Sequence, residues 1–397
     1  MPEFLPFAGT RYADGGDLGA VAAPPYDVVD DHERIEFEAQ SPHNAIRLIL
    51  PQDESTAGDR YERAAKAFAE WKRTNILARD VTKRFYGYRM DFTAPTGELL
   101  HTVGVLGALT LPDVAGEGDI LPHERTIPKA KSDRLDLLRA TRANLDPIWG
   151  LSLTEGLTDL IDQTNEIAHC VDELGISHRL FAIDDATQQQ AITDAVAKTP
   201  VVLADGHHRF ETGIKYRSER SEPNAGADAI MAFVVELAED QLCIQPIHRL
   251  VTVPPGFDVR ASLADAFAIT ELTTHTGAES AMVLVDAAGL WLLTPNAAVV
   301  EAALATESPE VRDTDAAVVE HVIVGRWTDA QWVFRHDADE IVKLVRNGTY
   351  NAGLILRPPT VEVTRAASFA RVRMPQKTTF FYPKPRTGMV FREFDAP

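Results

Sequence analysis

The sequence predicts an α+β protein in which mixed β-sheets pack with helices. Short apolar runs rich in β-branched residues alternate along the chain with segments whose apolar residues recur every three or four positions. Several of the apolar runs are joined in pairs by turns containing glycine or proline, which indicates antiparallel hairpins. The two periodicities together favour mixed sheets over a purely parallel or a purely helical architecture.

Each predicted element rests on its own pattern. Residues 60–76 place Ala64, Phe68 and Trp71 at helical spacing, and residues 133–143 and 184–198 are further amphipathic helix candidates. Paired apolar runs predict three hairpins, namely 83–92 with 98–111, 229–237 with 242–250, and 281–286 with 290–294. Residues 331–367 predict the order strand, helix, strand, helix.

Length and turn residues predict the domain organisation. A chain of 397 residues exceeds what one hydrophobic core usually serves. After the turn Val253-Pro254-Pro255-Gly256 the composition of the sequence changes, and unusual clusters of polar residues become rare. We therefore predict a core with elaborations over residues 1–255, an appended α/β subdomain over 256–360, and a C-terminal segment, 361–397, that returns to the core.

Composition and charge narrow the classes of function. A net charge of −20 repels nucleic-acid backbones and acidic membranes, so we expect neither nucleic acid nor a membrane as a partner. The N-terminal residues lack the features of a secretory signal, and no apolar run is long enough to span a bilayer. Cys170 and Cys243 show no paired metal-ligand spacing. We expect a cytoplasmic protein, and the oligomeric state is left open, a homo-oligomer included.

The most informative motif is the run Asp205-Gly206-His207-His208-Arg209. It follows an apolar run at 201–204 and precedes a helical pattern at 210–217, so it is predicted to connect a buried strand to a helix. A glycine there permits a positive φ, while the first helical turn and the guanidinium of Arg209 attract anions. The two histidines can carry a proton near neutral pH. The structural alternative is a turn with a capping aspartate and hydrogen-bonded histidines.

Four other segments concentrate reactive side chains, and each also has a purely structural interpretation. Adjacent prolines at 24 and 25 fix an extended backbone, residues 123–134 are basic in an acidic protein, a His-Arg pair ends a strand, and residues 374–388 mix aromatics, prolines and lysines. The structural alternatives are a capped turn for the proline segment and a solvated loop for residues 123–134. For the His-Arg pair the alternative is an ordinary strand end, and for residues 374–388 a frayed chain end. The candidate residues are Tyr26 and Asp27; His123, Glu124, Arg125, Lys129 and Lys131; His248; and Lys377 and Lys384.

These segments resemble a known family in order and spacing. The motifs are AAPPYDVV, HERTIPKAKSDRLDLLRATRANLDPIWGL, LADGHHRFETGIKYR, IHRL and MPQKTTFFYPKPRTG. From about Phe4 to Val390 they resemble the bacterial and archaeal family catalogued as domain of unknown function 1015. More distantly, the strand-Gly-x-His-Arg-helix arrangement is similar to the phosphate-binding turn of the ParB/sulfiredoxin-like superfamily, which includes the archaeal ADP-dependent free-serine kinase.

The resemblance implies a ParB/sulfiredoxin-like core and a role for each residue of the turn. Gly206 would approach nucleotide phosphates, His208 would lie beside them, and Arg209 would clamp a phosphate oxygen. His207 stands where sulfiredoxin has its catalytic cysteine, which argues against sulfinic acid reduction. By the same analogy the cofactors would be Mg²⁺ and a nucleotide, either ATP or ADP.

Three functions of different classes follow from the resemblance taken together with the candidate residues. The favoured one is phosphotransfer between a nucleotide, or pyrophosphate, and a small hydroxylated metabolite such as serine. The alternatives are a phosphatase of a phosphorylated metabolite such as phosphoserine, and a non-catalytic nucleotide-binding regulatory protein. A metal hydrolase is weaker because no spacing such as H-E-x-x-H occurs, and the metal ligands are left unknown.

The favoured function assigns two sets of residues. The predicted catalytic residues are His208, Asp205, Glu124 and Asp27. The predicted phosphate- or nucleotide-binding residues are Gly206, His207, Arg209, His123, Arg125, Lys129, Lys131, His248, Lys377 and Lys384. Because five separate polar clusters are otherwise hard to explain, we also predict that His123, Asp205, His208, Arg209 and His248 converge on one cleft.

Overall fold

A computed structural model of the chain describes residues 1–53, 59–94, 97–114, 117–125, 132–219, 226–275 and 281–394. The chain forms two compact units. Unit 1 comprises Met1–Pro122, Pro128–Cys243 and Pro383–Pro397, and unit 2 comprises His123–Ile127 and Ile244–Tyr382. Both units are mixtures of sheets and helices, which confirms the predicted α+β class. The predicted division at residues 255 and 360 stays a prediction.

Unit 1 is built on a mixed sheet. With strands numbered in chain order along the whole molecule, its strands are β1 (Phe4–Leu5), β2 (Thr10–Tyr12), β3 (Gly16–Asp17), β4 (Leu77–Arg79), β5 (Phe85–Thr93), β6 (Leu99–Thr110), β7 (Ile120–Pro122), β8 (Ala143–Asn144), β9 (Ile148–Ser152), β10 (Glu166–Val171), β11 (Ser177–Ile183), β12 (Val201–Asp205), β13 (Ala229–Glu236) and β22 (Arg392–Glu393). In the described part of the unit, ten strands form one sheet in the order β3-β10-β11-β5-β6-β13-β9-β12-β7, with β1 paired to β6. The pairs β3–β10, β9–β13 and β7–β12 are parallel, and the remaining pairs are antiparallel.

Six helices of unit 1 lie within the described residues. They are α1 (Asp31–Gln40), α2 (Ile46–Ile49), α3 (Arg60–Arg73), α4 (Ser132–Thr141), α5 (Ala186–Ala197) and α6 (His207–Ser218), with short 3₁₀ helices at Thr158–Leu160 and Glu239–Gln241. The predicted helices at 60–76, 133–143 and 184–198 are confirmed, and Phe68 and Trp71 are buried as their spacing requires. Val201, Leu203, Phe210 and Ile214 belong to one apolar core. Burial of both flanks therefore fixes the turn between β12 and α6.

Unit 2 contains a second, antiparallel sheet. Its strands are β14 (Cys243–Pro246, beginning at the boundary), β15 (His248–Thr252), β16 (Phe267–Leu272), β17 (Met282–Asp286), β18 (Leu290–Pro295), β19 (Gln331–Arg335), β20 (Ala352–Ile355) and β21 (Thr379–Tyr382). Its helices are α7 (Ala297–Ala303), α8 (Asp315–Val318, continued by a π-helix at Val319–Ile323), α9 (Ala338–Arg346) and α10 (Val361–Phe369), with a 3₁₀ helix at Ala261–Leu263. Six described strands pair in the order β16-β18-β17-β20-β15-β19, and β14 pairs with β21.

Two of the three predicted hairpins are confirmed and one is wrong. β5 pairs with β6, and β17 pairs with β18, both antiparallel. The predicted hairpin of 229–237 with 242–250 does not form, because β13 pairs with β6 and β9 while β15 pairs with β19 and β20. Seven of the eight residues of β13 are buried, so this strand needs a neighbour on each side, and its apolar pattern does not specify which. The strand-helix-strand-helix order over 331–367 is confirmed.

Among the described helices, none combines the length and the apolar character needed to cross a membrane.

Candidate functional site

The turn between β12 and α6 has the conformation that the sequence predicts. Gly206 is the N-cap of α6 and has a φ of +85°, a region that favours glycine. A Cβ atom at this position would lie 3.0 Å from the Cγ2 atom of Ile148 and 3.1 Å from the Nε atom of Arg209. No side chain caps α6, so Asp205 is not the helix cap of the structural alternative. Glycine is required both for the backbone angle and for the close approach of the guanidinium.

Asp205 holds two cations. Its Oδ2 atom accepts a hydrogen bond from the Nη2 atom of Arg209 at 2.8 Å, and its Oδ1 atom accepts one from the Nζ atom of Lys384, also at 2.8 Å. Burial alone would raise the pKa of Asp205, but the charges of Lys384 and Arg209 outweigh it and lower that pKa far below its ordinary value. Asp205 is therefore a permanent anion that fixes the positions of both cations.

Arg209 is oriented from two sides. Its Nη1 atom donates to the carbonyl oxygen of Pro147, in addition to the contact with Asp205. Its Nε atom is buried and has no hydrogen-bond partner within the described ranges. Although burial opposes its charge, the carboxylates of Asp205, Asp27 and Asp146 raise the pKa of Arg209. The guanidinium is thus held in one orientation by its two Nη atoms, and its buried Nε atom takes no part in holding it.

Tyr26 and Asp27 belong to the same cluster. The Cζ atom of Arg134 lies 4.3 Å from the centre of the Tyr26 ring, and that of Arg209 lies 5.9 Å from it. Burial raises the pKa of the Tyr26 hydroxyl to about 12. Asp27 is exposed and acts electrostatically on both Tyr26 and Arg209. The proline-rich segment at 22–29 therefore contributes an aromatic ring and an accessible carboxylate beside the turn.

Asp146 is the buried carboxylate of the cluster. It is only 9% exposed, and its Oδ1 atom accepts a hydrogen bond from the hydroxyl of Thr387. Two backbone hydrogen bonds between Thr387 and Ala23, of 3.0 and 2.8 Å, fix that hydroxyl. Burial raises the pKa of Asp146 even though Arg209 and Arg134 lie nearby. Asp146 and Asp205 thus have opposite pKa shifts within one cluster.

A small cleft of about 50 Å³, open to solvent, lies against these residues. Its polar lining residues are Tyr26, Arg134, Thr141, Asn144, Asp146, Arg209 and Thr212. The remaining wall is mainly apolar and comes from α4, β8, the residue after β8, and β13: Leu137, Leu138, Ala143, Leu145 and Ile230. The cleft therefore presents both charged and apolar side chains to a ligand.

The cluster combines three cations with three carboxylates. The cations are Arg134, Arg209 and Lys384, and the carboxylates are Asp27, Asp146 and Asp205. Within the described ranges, no three His, Cys, Asp or Glu side chains are placed so that they could hold a metal ion together. A divalent cation at this cluster would need ligand oxygens or water to complete its coordination, as Mg²⁺ commonly does beside phosphates.

Glu124, in unit 2, accepts four hydrogen bonds. The donors are the backbone N–H groups of Lys377, Thr378 and Thr379, at 3.0, 3.1 and 2.7 Å, and the hydroxyl of Thr379 at 2.6 Å. The Nε2 atom of His123 lies 2.6 Å from the same hydroxyl oxygen. His123 and Glu124 thereby anchor the segment before β21.

The other described candidates of unit 2 also have internal partners. Arg125 pairs with Glu307 at 2.6 Å and with Glu320 at 2.7 Å. The Nδ1 atom of His248 accepts a hydrogen bond from the backbone N–H of Leu356 at 3.1 Å. Burial, followed by the charge of Arg249, lowers the pKa of His248 to about 4. His248 is consequently a neutral acceptor at physiological pH.

The structure brings part of the predicted site together in unit 1. Asp27, Lys384 and the whole Asp205–Arg209 turn belong to unit 1, whereas His123, Glu124, Arg125, His248 and Lys377 belong to unit 2. Lys129 and Lys131 lie outside the described residues. The predicted convergence of His123 and His248 with the turn stays a prediction, as do the roles of all these residues.

Sequence reasoning missed three residues of the cluster, namely Arg134, Asp146 and Thr387. The available signal was weak: Asp146 precedes a proline at the start of a strand, and Thr387 follows Arg386 in the C-terminal motif. The Asp146–Thr387 contact joins positions 241 residues apart, so no local pattern points to it.

No curated protein matches the sequence. Solved structures with a partly similar fold include a mutant of free serine kinase in complex with AMP, at 11% identity, covering 66% of this chain and 84% of that chain with a TM-score of 0.38. They also include SbnI with a C-terminal truncation from Staphylococcus aureus, at 11% identity, with 71% and 85% covered and a TM-score of 0.38. A conserved hypothetical protein from Pyrococcus furiosus is 10% identical, with 68% and 90% covered and a TM-score of 0.38.

The family comparison covers more than three quarters of the chain. Residues 4–317 match the family described as "Protein of unknown function (DUF1015)". That span contains the Asp205–Arg209 turn and Asp146, and the matched family agrees with the family that the sequence motifs resemble. The chain therefore belongs to this protein family.

Proposed function

We propose that the chain transfers a phosphoryl group from a nucleotide or pyrophosphate to a small hydroxylated metabolite, at the cluster around Arg209. The observation that carries this proposal is the close association of three cations with three carboxylates beside a cleft. Phosphoryl transfer needs positioned positive charge for the phosphates and a carboxylate for the nucleophile or metal. A simple anion-binding site would need only the cations.

The phosphates are assigned to the first turn of α6. Arg209 and Lys384 place two positive charges there, both held by Asp205, and the N-terminus of a helix favours negative charge. Asp205 holds both cations in place before the ligand arrives, so little side-chain entropy is lost on binding. Gly206 allows the close approach that the resemblance to phosphate-binding turns implies.

A nucleotide and Mg²⁺ fit the chemistry of these donors. The exposed carboxylate of Asp27 is the accessible oxygen ligand of the cluster, and Mg²⁺ usually takes one or two carboxylates together with phosphate oxygens and water. When bound, the ion would neutralise charge on the transferred group. The protein's own part is to hold the phosphates with Arg209 and Lys384.

A ligand screen by thermal unfolding tests the proposal. The ligands are ATP, ADP, pyrophosphate and phosphoserine, each with and without Mg²⁺, added at about a hundred times their Kd. Stabilisation of about 2.7 kcal/mol is expected for a nucleotide or pyrophosphate. Stabilisation by phosphoserine alone would favour the phosphatase alternative. Nucleotide binding without turnover of any hydroxylated acceptor would favour the regulatory alternative.

A further inference from the structure

The cleft beside Arg209 is lined by apolar side chains as well as by charged ones. Its apolar wall includes Leu137, Leu138 and Ile230, which are at most 9% exposed. Two of the polar lining residues have internal partners: the Thr141 hydroxyl donates to the carbonyl oxygen of Leu137, and the Asn144 Oδ1 atom accepts from the backbone N–H of Met231. A charged group packed against these three apolar side chains would lose its hydration, and they offer it no hydrogen bond.

The three carboxylates of the cluster differ in their availability to a ligand in the cleft. Asp205 is bound to two cations, and Asp27 is exposed to solvent. Asp146 alone of the three lines the cleft, with one oxygen fixed by Thr387. The carbonyl oxygen of the following residue, Pro147, accepts a hydrogen bond from Arg209. The Asp146 carboxylate and the Arg209 guanidinium are therefore held at fixed positions relative to each other.

We propose that this cleft binds the acceptor as a hydroxyl group carried on an uncharged, apolar body, and that Asp146 takes the proton of that hydroxyl. This inference rests on the proposed function and narrows its acceptor, because a serine-like zwitterion does not match the apolar wall. Thr387 acts as a positioning residue that orients the carboxylate.

The transfer step exchanges one phosphorus–oxygen bond for another. The acceptor oxygen forms a bond to the terminal phosphorus of the donor while the bond from that phosphorus to the bridging oxygen breaks. The shortened nucleotide, or phosphate in the case of pyrophosphate, leaves with the electron pair of the broken bond. The hydroxyl proton passes to the Oδ2 atom of Asp146, since Thr387 occupies Oδ1. The raised pKa of Asp146 makes it a stronger base than Asp205.

Methyl NMR on the full chain tests the cleft directly. The protein carries labelled leucine and isoleucine methyl groups, with Leu137, Leu138 and Ile230 assigned by substitution. The probes are 3-methylbutan-1-ol, its methyl ether, which keeps the apolar body but lacks the hydroxyl proton, and L-serine. The alcohol should shift these methyl signals, the ether should bind several-fold more weakly, and serine should leave them unchanged. No shift with the alcohol, or an equal shift with serine, would overturn the acceptor assignment.

Substitutions test the role of Asp146. Asp146→Asn should lower the rate of alcohol-dependent ATP consumption by roughly 10²–10⁴ while the Kd for pyrophosphate stays within about twofold. Thr387→Val should lower the same rate, and Thr387→Ser should restore it; the exposed Asp14→Asn is the matched control. Normal turnover in Asp146→Asn, or an alcohol-to-ether preference that survives in it, would overturn the assignment of the proton to Asp146.

These measurements separate the inference from the proposed function. If wild-type protein binds neither pyrophosphate nor any nucleotide, the proposed function fails whatever the alcohol does. If pyrophosphate binds and the alcohol leaves the cleft methyl groups unchanged, the proposed function stands and the acceptor inference fails.

Discussion

The cluster around Arg209 in unit 1 and the segment around Glu124 in unit 2 use the same residue types in different ways. In unit 2 the carboxylate of Glu124 receives four hydrogen bonds from one short segment, and the Nδ1 atom of His248 accepts a backbone N–H. In unit 1 the Nε donor of Arg209 is unused, and Asp146 has a raised pKa beside a cleft. Polar residues that satisfy one another stabilise a fold, whereas charged groups held beside an open cleft can act on a ligand.

The largest expected effect concerns Glu124. Glu124→Ala removes the acceptor of four hydrogen bonds and leaves the buried N–H groups of Thr378 and Thr379 without it, so unfolding should become easier by about 3–5 kcal/mol. Differential scanning calorimetry measures the loss. Glu124→Gln, which keeps one acceptor oxygen, is the matched control and should cost about half as much. A large loss of pyrophosphate affinity with little loss of stability would instead give Glu124 a place in the binding site.

The next effect is a dependence of stability on pH caused by His248. Its pKa falls from 6.5 to about 4 on folding, so its contribution is complete above pH 6.5 and is lost as the pH drops towards 4. The loss should reach about 3 kcal/mol at pH 4, since each unit of pKa corresponds to about 1.4 kcal/mol. Urea unfolding between pH 4 and 7 measures it. In His248→Asn, which keeps an acceptor near the position of Nδ1, this part of the pH dependence should vanish.

Asp146 should make stability depend on pH in the direction opposite to that of His248. Because folding raises its pKa, its contribution to stability is complete below the ordinary value of 3.8 and is lost as the pH rises through the folded pKa. Asp146→Asn should therefore gain stability relative to wild type as the pH increases over that range. A gain that grows as the pH falls would contradict the assigned shift.

A smaller effect is expected on the affinity for pyrophosphate, which should depend on Arg209 of unit 1 and not on Arg249 of unit 2. Arg209→Lys keeps the charge but loses the planar fork that bonds Asp205 and Pro147 together, so the Kd for pyrophosphate should rise at least about tenfold. In unit 2, Arg249 donates to the carbonyl oxygens of Ile247 and Lys377, and Arg249→Lys is the matched control with an unchanged Kd. Isothermal titration calorimetry gives both values. An equal loss in the two variants would contradict the assignment of the anion site to unit 1.

The smallest effect compares two glycines with positive φ. Gly206 has a φ of +85° and close neighbours, whereas Gly256 has a φ of +80° and nothing within 4 Å of an added Cβ. Gly206→Ala should therefore cost about 1 kcal/mol more than Gly256→Ala, beyond the backbone strain that both share. Only Gly206→Ala should also weaken pyrophosphate binding, because its Cβ displaces the Arg209 guanidinium. Equal costs and equal affinities would show that the approach to Arg209 is unimportant.

The local part of the site could be predicted from sequence. The apolar run at 201–204, the glycine and the helical spacing after it are all short-range signals, and strand, positive φ and helix are confirmed. The hairpin proposed for 229–250 was wrong because a fully buried strand chooses its partners from distant parts of the chain. The role of Asp146 could not be predicted for the same reason. The residues that act on its carboxylate, Thr387 and Arg209, are distant from it in sequence.

Unit 1 is formed by segments that lie before and after unit 2 in the chain, and this affects when its charge cluster can form during synthesis. Lys384 and Thr387, which bind Asp205 and Asp146, emerge from the ribosome only after the 139 residues from Ile244 to Tyr382 have been synthesised. At ordinary elongation rates that interval is on the order of ten seconds. A nascent chain therefore carries an incomplete charge cluster throughout, and a prematurely terminated one never completes it. The cell receives a complete charge cluster only from a chain that has been translated past Thr387.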